Sequence, residues 1–191
     1  LPLLVELGID VDDIDFIYGS NWGQLVALGE ADAALSWEGL RAQWDAIGLG
    51  LRHFVGYEFS DMPANGYAAR RSDLDDPQKR QMLINFFKAG AMGIEFARHN
   101  PRAAAQITYS KFAAVREQMT PELALQSLQQ LHWLYTDSER NLGGYGTFPV
   151  ESWNTYLDII YELGQVQTDM TFDDVATNEL IEEINDFDRA R

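Results

Sequence analysis

Two short segments of the chain place a tryptophan beside polar side chains that can hold a small molecule. Ser20, Asn21 and Trp22 follow a predicted strand and begin a predicted helix. Trp37 and Glu38 occupy the same position after the next predicted strand. Tryptophan offers a flat apolar wall, a carboxylate accepts hydrogen bonds from amine or amidine groups, and a helix start holds acceptor oxygens. The combination predicts a binding site for a planar solute that carries nitrogen groups.

A third group of candidates, Asp61, Asn65 and Tyr67, lies at a break in the pattern of predicted elements. Pro63 disfavours helix at the residue before it, and Asn65 followed by glycine is a turn signal. These residues are candidate ligand contacts if the chain crosses between two lobes here. A purely local interpretation stays open for all of these candidates, because turns, helix caps and core packing use the same residue types.

Catalytic and metal chemistry find little support in the sequence. His53, His99 and His132 show no ligand spacing, and no nucleophile elbow or phosphate-binding loop is present. The chain has no cysteine, which excludes disulfides, thiolate metal sites and a cysteine nucleophile. We therefore predict a binding protein that uses no cofactor and no metal and is not an enzyme.

The charge balance argues against two classes of partner. The 191 residues carry 30 acidic and 14 basic side chains, for a net charge of −16. Nucleic acids and anionic membrane surfaces are bound through lysine and arginine, so we expect neither as a partner. No apolar run approaches the roughly 20 residues that a membrane span needs, so no direct membrane insertion is expected in this segment.

The periodicity of apolar residues changes near Asp76. Before it, three runs are typical of strands: residues 15–18, 31–36 and 53–57. Strands joined by helices predict a parallel α/β sheet, and residues 67–70 would pair into a second one. After Asp76 the chain is predicted to be almost entirely helical, with helices over residues 77–99 and 150–163. Each of three predicted helices begins with a capping residue followed by proline: Asp76, Asn100 and Thr120.

Several short segments follow one another in a recognisable order: Gly8-Ile9-Asp10, Ala27-Leu28-Gly29-Glu30-Ala31-Asp32-Ala33, Ala46-Ile47-Gly48, Asn100-Pro101-Arg102-Ala103-Ala104 and Thr177-Asn178-Glu179-Leu180-Ile181. Their order resembles that of the NMT1/THI5-like family, the solute-binding proteins of ABC importers for sulfonates, nitrate and thiamine-precursor pyrimidines. The resemblance covers nearly the whole chain, and it rests on the order of the segments.

The resemblance implies a two-lobed α/β fold of the type II periplasmic-binding-protein kind, present here as a fragment. Residues 1–62 are then the α/β remnant of lobe two. Residues 63–191 are the hinge crossover and the helix-rich C-terminal part of lobe one. The first eight residues are typical of the second half of a helix, so the family's first strands and anion loop are expected to precede them.

The resemblance also implies a function outside the cytoplasm, in the periplasm or lipid-anchored at the cell surface. A solute is captured in the cleft between the lobes and delivered to an ABC permease in the membrane. Trp22 and Trp37 then pack against the faces of the solute, and Glu38 pairs with its nitrogen groups. Ser20 and Asn21 donate hydrogen bonds to an acceptor atom of the solute. Because Glu38 repels anions, a nitrogen heterocycle such as a thiamine-precursor pyrimidine is favoured over a sulfonate or nitrate-type anion.

Two alternatives stay open. A ligand-sensing input domain of a signalling protein would use the same kind of site. The pyrimidine-precursor synthases of the same superfamily are enzymes that use iron and a cysteine-rich motif, and the absence of cysteine from this chain argues against them.

Overall fold

The structure is a computed structural model that describes residues 4, 7–59, 62–63, 66–136 and 143–189. Within these ranges the chain forms α-helices and two short 3-10 helices, Val11–Asp13 and Gly56–Glu58, and no β-strand. The α-helices are α1 (Trp22–Leu28), α2 (Glu38–Ala46), α3 (Arg71–Asp75), α4 (Pro77–His99), α5 (Pro101–Lys111), α6 (Ala113–Gln118), α7 (Pro121–Thr136), α8 (Val150–Glu162), α9 (Phe172–Val175) and α10 (Ile181–Asn185). No helix in the described part of the chain has both the length and the apolar character needed to cross a bilayer.

The predicted α/β fold with two lobes of the periplasmic-binding-protein kind is wrong, because the described chain is helical and has no sheet. Residues 15–18 and 31–36 are irregular, residues 67–70 have no strand partner, and the third predicted strand ends in a 3-10 helix. Tyr18 is 90% exposed and Leu35 is 73% exposed, whereas a parallel sheet covered on both faces would bury them. Short apolar runs do not identify a strand by periodicity alone, which explains the error.

The predicted helices of the second half are confirmed. Helix α4 spans the predicted residues, and Asp76 Oδ1 caps it by accepting hydrogen bonds from the N–H groups of Gln78 at 2.9 Å and Lys79 at 3.2 Å. Thr120 Oγ1 accepts from the Leu123 N–H at 3.2 Å at the start of α7. The third predicted cap differs, since the Asn100 side chain makes no capping hydrogen bond to α5. Local capping chemistry therefore sets two of these helix starts.

The chain folds into two compact units, each made from separate segments. The first unit comprises Leu1–Asp15, Gly56–Met92 and Glu139–Arg191, and the second comprises Phe16–Val55 and Gly93–Ser138. Helix α4 contributes to both units, because the boundary falls between Met92 and Gly93.

Aromatic side chains around Trp153 of α8 form part of the core of the first unit. The Trp153 ring lies edge-to-face with Phe148, Tyr156 and Phe172, at centroid distances of 5.4, 6.1 and 6.4 Å. Such pairs favour this edge-to-face geometry because the ring faces are negative and the ring edges positive. Further buried side chains of the first unit are Ile84, Ala91, Tyr145, Leu157, Ile160, Leu180 and Ile184.

Two asparagines fix the loop that leads into α8. Asn185 Oδ1 accepts a hydrogen bond from the Tyr145 N–H at 2.8 Å, and its Nδ2 donates to the Tyr145 carbonyl at 3.1 Å. Asn178 makes the same pair of hydrogen bonds with Phe148, both at 2.9 Å. A carboxamide carries both a donor and an acceptor, so one side chain satisfies both polar groups of a loop residue. This pairing allows Tyr145 to be buried outside any helix.

Asp174 and Thr171 cap the short helix α9. Asp174 Oδ2 accepts hydrogen bonds from the Thr171 N–H and from the Thr171 hydroxyl, both at 2.9 Å, as part of a capping box. The backbone hydrogen bond, followed by the hydroxyl one, holds the pKa of the Asp174 carboxyl below its ordinary value of 3.8.

Replacing Asp174 with asparagine is expected to remove part of the acid dependence of stability. Because the folded-state pKa is lowered, the carboxylate stabilises the fold above 3.8, and this contribution is lost as the pH falls through the folded-state pKa. Denaturant unfolding at a series of pH values should show a shallower loss of stability in Asp174→Asn. Asp173→Asn removes the same charge from the same turn and serves as the control. Identical pH profiles for wild type and Asp174→Asn would contradict the role of the capping box.

Helix–helix packing builds the second unit. Helix α7 packs against both α2 and α5, and α5 also contacts α6. The buried side chains of these helices include several small ones: Ala42 of α2, Ala105 of α5, and Ala124 and Ser127 of α7. Small side chains let helix axes approach closely, and Ala124 and Ser127 lie on one face because they are three residues apart. This packing fixes the position of α2, which contributes Leu40, Gln43 and Trp44 to the candidate site described below.

Candidate functional site

A partly open cavity of about 450 Å³ lies within the second unit. The start of α1, the length of α2 and the chain around the start of α7 all contribute to it. The lining residues are Ser20, Trp22, Gln24, Trp37, Leu40, Gln43, Trp44, Ile47, Gln118 and Leu123. The volume falls within the range of small-molecule sites in proteins, which runs from roughly 300 to 1,000 Å³.

Trp22 and Trp37 form a pair at the cavity. Trp22 is the first residue of α1, and Trp37 immediately precedes α2 with an extended backbone. Their rings meet edge-to-face, with centroids 5.8 Å apart and an interplanar angle of 74°. Trp37 is 59% exposed, so much of its surface is accessible to solvent. A planar solute that covered this ring would remove a large apolar surface from water.

Trp44 supplies a third, buried wall. Its side chain is only 9% exposed and stacks on the His53 ring with centroids 6.2 Å apart and an interplanar angle of 23°. Gly23 of α1 lies so close to this indole that a Cβ there would fall 2.7 Å from Trp44 Cε2. The absence of a side chain at Gly23 therefore allows α1 to pack directly on the Trp44 ring.

Neutral polar groups complete the lining. Gln24, Gln43, Gln118 and Ser20, all with neutral polar side chains, are among the lining residues. The Gln43 Nε2 donates weakly to the Gly39 carbonyl at 3.5 Å, one turn back along α2. No acidic or basic side chain is among the described residues that line the cavity. The lining can donate and accept hydrogen bonds without presenting a formal charge.

The structure brings together three of the residues predicted as ligand contacts. Ser20, Trp22 and Trp37 line one cavity, although 14 residues separate Trp22 from Trp37 in the sequence. Asn21 immediately precedes α1, is exposed and makes no capping hydrogen bond through its side chain. Glu38 begins α2, and its side chain lies outside the described part of the structure.

Of the third predicted group, only Tyr67 lies within the described part of the structure. Asp61 and Asn65 lie outside the described residues. Tyr67 belongs to the first unit, where its ring contacts Phe86 and Phe87 at centroid distances of 6.2 and 5.0 Å. Tyr67 remains 78% exposed despite these ring contacts, and its role as a ligand contact stays a prediction.

The sequence analysis did not identify Trp44, the three glutamines or Gly23 as parts of the site. The sequence did contain a signal for Trp44. Leu40 and Trp44 are four residues apart, as are Gln43 and Ile47, so a helix here places all four on one face. The helix that carries this face begins immediately after Trp37. The contributions of Gln118 and Leu123 had no comparable signal, because they depend on tertiary packing.

His53 and His99 have separate surroundings, and the side chain of His132 lies outside the described part of the structure. His99 lies at the end of α4, and its Nε2 is 3.0 Å from Oε1 of the buried Glu95. His53 stacks on Trp44 and lies 3.7 Å from Asp45 through Nε2 and Oδ1. Nowhere in the described ranges do three or more metal-ligating His, Asp or Glu side chains come together.

Comparisons with known proteins do not add an assignment for the cavity. The chain matches no protein-family model, and no curated protein matches it significantly.

Proposed function

We propose that this chain is a receptor for a small planar organic solute, which it holds in the cavity walled by Trp22, Trp37 and Trp44. The proposal rests on one observation: the edge-to-face pair of Trp22 and Trp37, the buried Trp44 and four neutral polar residues all line a single cavity of about 450 Å³. Aromatic walls attract planar ligands through apolar burial and through ring geometry, which adds about 0.5–1.5 kcal/mol for each pair. The chemistry is binding, with no bond broken.

The resemblance in segment order supplies the proposed setting. In that setting the chain is the extracytoplasmic solute-binding subunit of an ABC importer, and its macromolecular partner is the membrane permease. The described residues are helical and lack the family's α/β architecture, so the resemblance contributes the function alone. What supports it is the shared position of Trp22 and Trp37 at helix starts and their meeting at one cavity.

Among the solutes of that family, the described lining favours a nitrogen heterocycle over a sulfonate or nitrate ion. Tight binding of an anion requires donors that carry positive charge or a converging set of N–H groups. The described lining has no Lys or Arg, and the chain carries a net charge of −16. Flat indoles and carboxamides suit a ring with adjacent donors and acceptors.

A thermal-shift screen tests the proposal. The panel contains thiamine-precursor pyrimidines, purines, alkyl and aryl sulfonates, nitrate and polyamines. A ligand at a hundred times its dissociation constant adds about 2.7 kcal/mol to the free energy of unfolding, which gives a clear rise in Tm. We expect the planar heterocycles to raise Tm and nitrate and polyamines to leave it unchanged. A response to polyamines alone, or to no class, would contradict the proposed receptor.

A further inference from the structure

The polar part of the cavity has a consistent chemical character. The polar residues among the described lining are three glutamines, Gln24, Gln43 and Gln118, and Ser20. A carboxamide offers two N–H donors beside a carbonyl acceptor, and a hydroxyl both donates and accepts. The best complement to such groups is an edge that also places a donor next to an acceptor. Amides, lactams and the edges of nucleobase-like rings have this arrangement.

We infer that the solute of this cavity is uncharged and carries an amide-like edge on a planar ring. This inference rests on the proposed receptor function and specifies the ligand class of the same site. The predicted pairing of Glu38 with a cationic nitrogen group is the competing expectation, and the probes below separate the two.

The cost of burying a charge leads to the same ligand class. Moving an ion from water into a site without an opposite charge is strongly unfavourable, whereas a neutral polar edge needs only hydrogen-bonding partners. The described lining of the cavity includes no acidic or basic side chain that would compensate such an ion. A cationic amidine and an anionic carboxylate are therefore both disfavoured against a neutral amide of the same shape.

Three probes of matched shape separate these possibilities: benzamide, benzamidine and benzoate. They present a neutral, a positive and a negative planar group on the same ring. Binding is measured by the change in tryptophan emission of the full chain and by saturation-transfer NMR of the probes. We expect benzamide to bind at least about tenfold more tightly than either charged probe, a ratio that corresponds to a modest difference in binding free energy.

Substitutions at two of the cavity glutamines are expected to reverse the order of affinity of the probes. Gln24 is exposed at the cavity rim, so Gln24→Glu introduces a negative charge with little demand on the fold. In this variant benzamidine should overtake benzamide, because its amidinium can pair with the new carboxylate. Gln43→Glu is a second variant with the same expectation. Gln129→Glu places the same charge on the exposed face of α7, away from the lining, and should keep the wild-type order of probes.

The outcomes distinguish the ligand class from the receptor function. If benzamidine binds wild type most tightly and loses that advantage in Glu38→Gln, the site selects cations and the neutral class is overturned, while the cavity remains a receptor site. Equal binding of all three probes would also overturn the neutral class. If no probe changes tryptophan emission or shows saturation transfer, both the ligand class and the proposed receptor function fail.

Discussion

Replacing Trp37 with alanine is expected to weaken solute binding by at least about 1 kcal/mol, or roughly fivefold in Kd. Trp37 combines two properties: it lines the cavity, and it is 59% exposed. A solute that stacks on this ring gains apolar burial that alanine cannot supply. Because the exposed ring contributes little to the packed core, the variant should lose affinity without a comparable loss of stability.

Titration calorimetry with the compound that raises Tm most strongly measures this loss. Phe112→Ala is the matched control, since Phe112 lies in the same unit, is 61% exposed and does not line the cavity. It should bind with wild-type affinity. Unchanged affinity in Trp37→Ala would remove Trp37 from the site, and an equal loss in both variants would point to a general effect on the unit.

Gly23→Ala is expected to destabilise the protein by about 1–3 kcal/mol and to weaken solute binding together with stability. The added Cβ would fall 2.7 Å from Trp44 Cε2, 2.9 Å from Trp44 Cδ2 and 3.0 Å from Leu49 Cδ1. Relief requires α1 or the Trp44 indole to shift, and both belong to the cavity wall. The effect on binding is transmitted through the wall, because Gly23 itself has no side chain to contact a solute.

Gly90→Ala is the control for the intrinsic effect of the substitution. Gly90 also lies within a helix, and nothing lies within 4 Å of the position that its Cβ would occupy. Alanine favours helix over glycine by about 0.5–1 kcal/mol, so this variant should gain stability. Denaturant unfolding measures both changes. A Gly23→Ala protein that gains stability to the same extent would show that α1 does not pack against Trp44 as described.

Helices could be predicted where their signals are local. Asp76 followed by proline, and Thr120 followed by proline, mark helix starts whose capping hydrogen bonds form within the first turn. The apolar stripe of α4 repeats at helical spacing over many turns, so its extent was also clear from the sequence. Such helices can be predicted without knowing which distant segments pack against them.

The sequence could not show that the predicted strands do not form, because a strand depends on hydrogen bonds to a partner strand elsewhere in the chain. Residues 15–18 and 31–36 have the composition of buried strands, but no other segment of the described chain pairs with them. Their apolar side chains, including Ile17 and Leu35, are left exposed. The α/β fold expected from the resemblance required these strand pairings, and without them that prediction is wrong.

The candidate site was predicted in part. Ser20, Trp22 and Trp37 were predicted as ligand contacts from their residue types and their positions at predicted helix starts, and all three line the cavity. The packing of Gly23 on Trp44 and the approach of Gln118 depend on tertiary structure, which the sequence pattern does not encode locally. The glutamines were also overlooked because a carboxamide has no signature spacing, in contrast to metal ligands or catalytic motifs.

The most direct test of the receptor site is an NMR titration of the indole N–H signals with benzamide, each signal being assigned by a Trp→Phe substitution. The signals of Trp22, Trp37 and Trp44 should move together and saturate with one Kd, because these rings line one cavity. The signal of Trp153 should stay in place, since this ring is packed among aromatic side chains in the other unit. Stationary signals from the three cavity indoles at saturating benzamide, or a shift of Trp153 alone, would contradict the site.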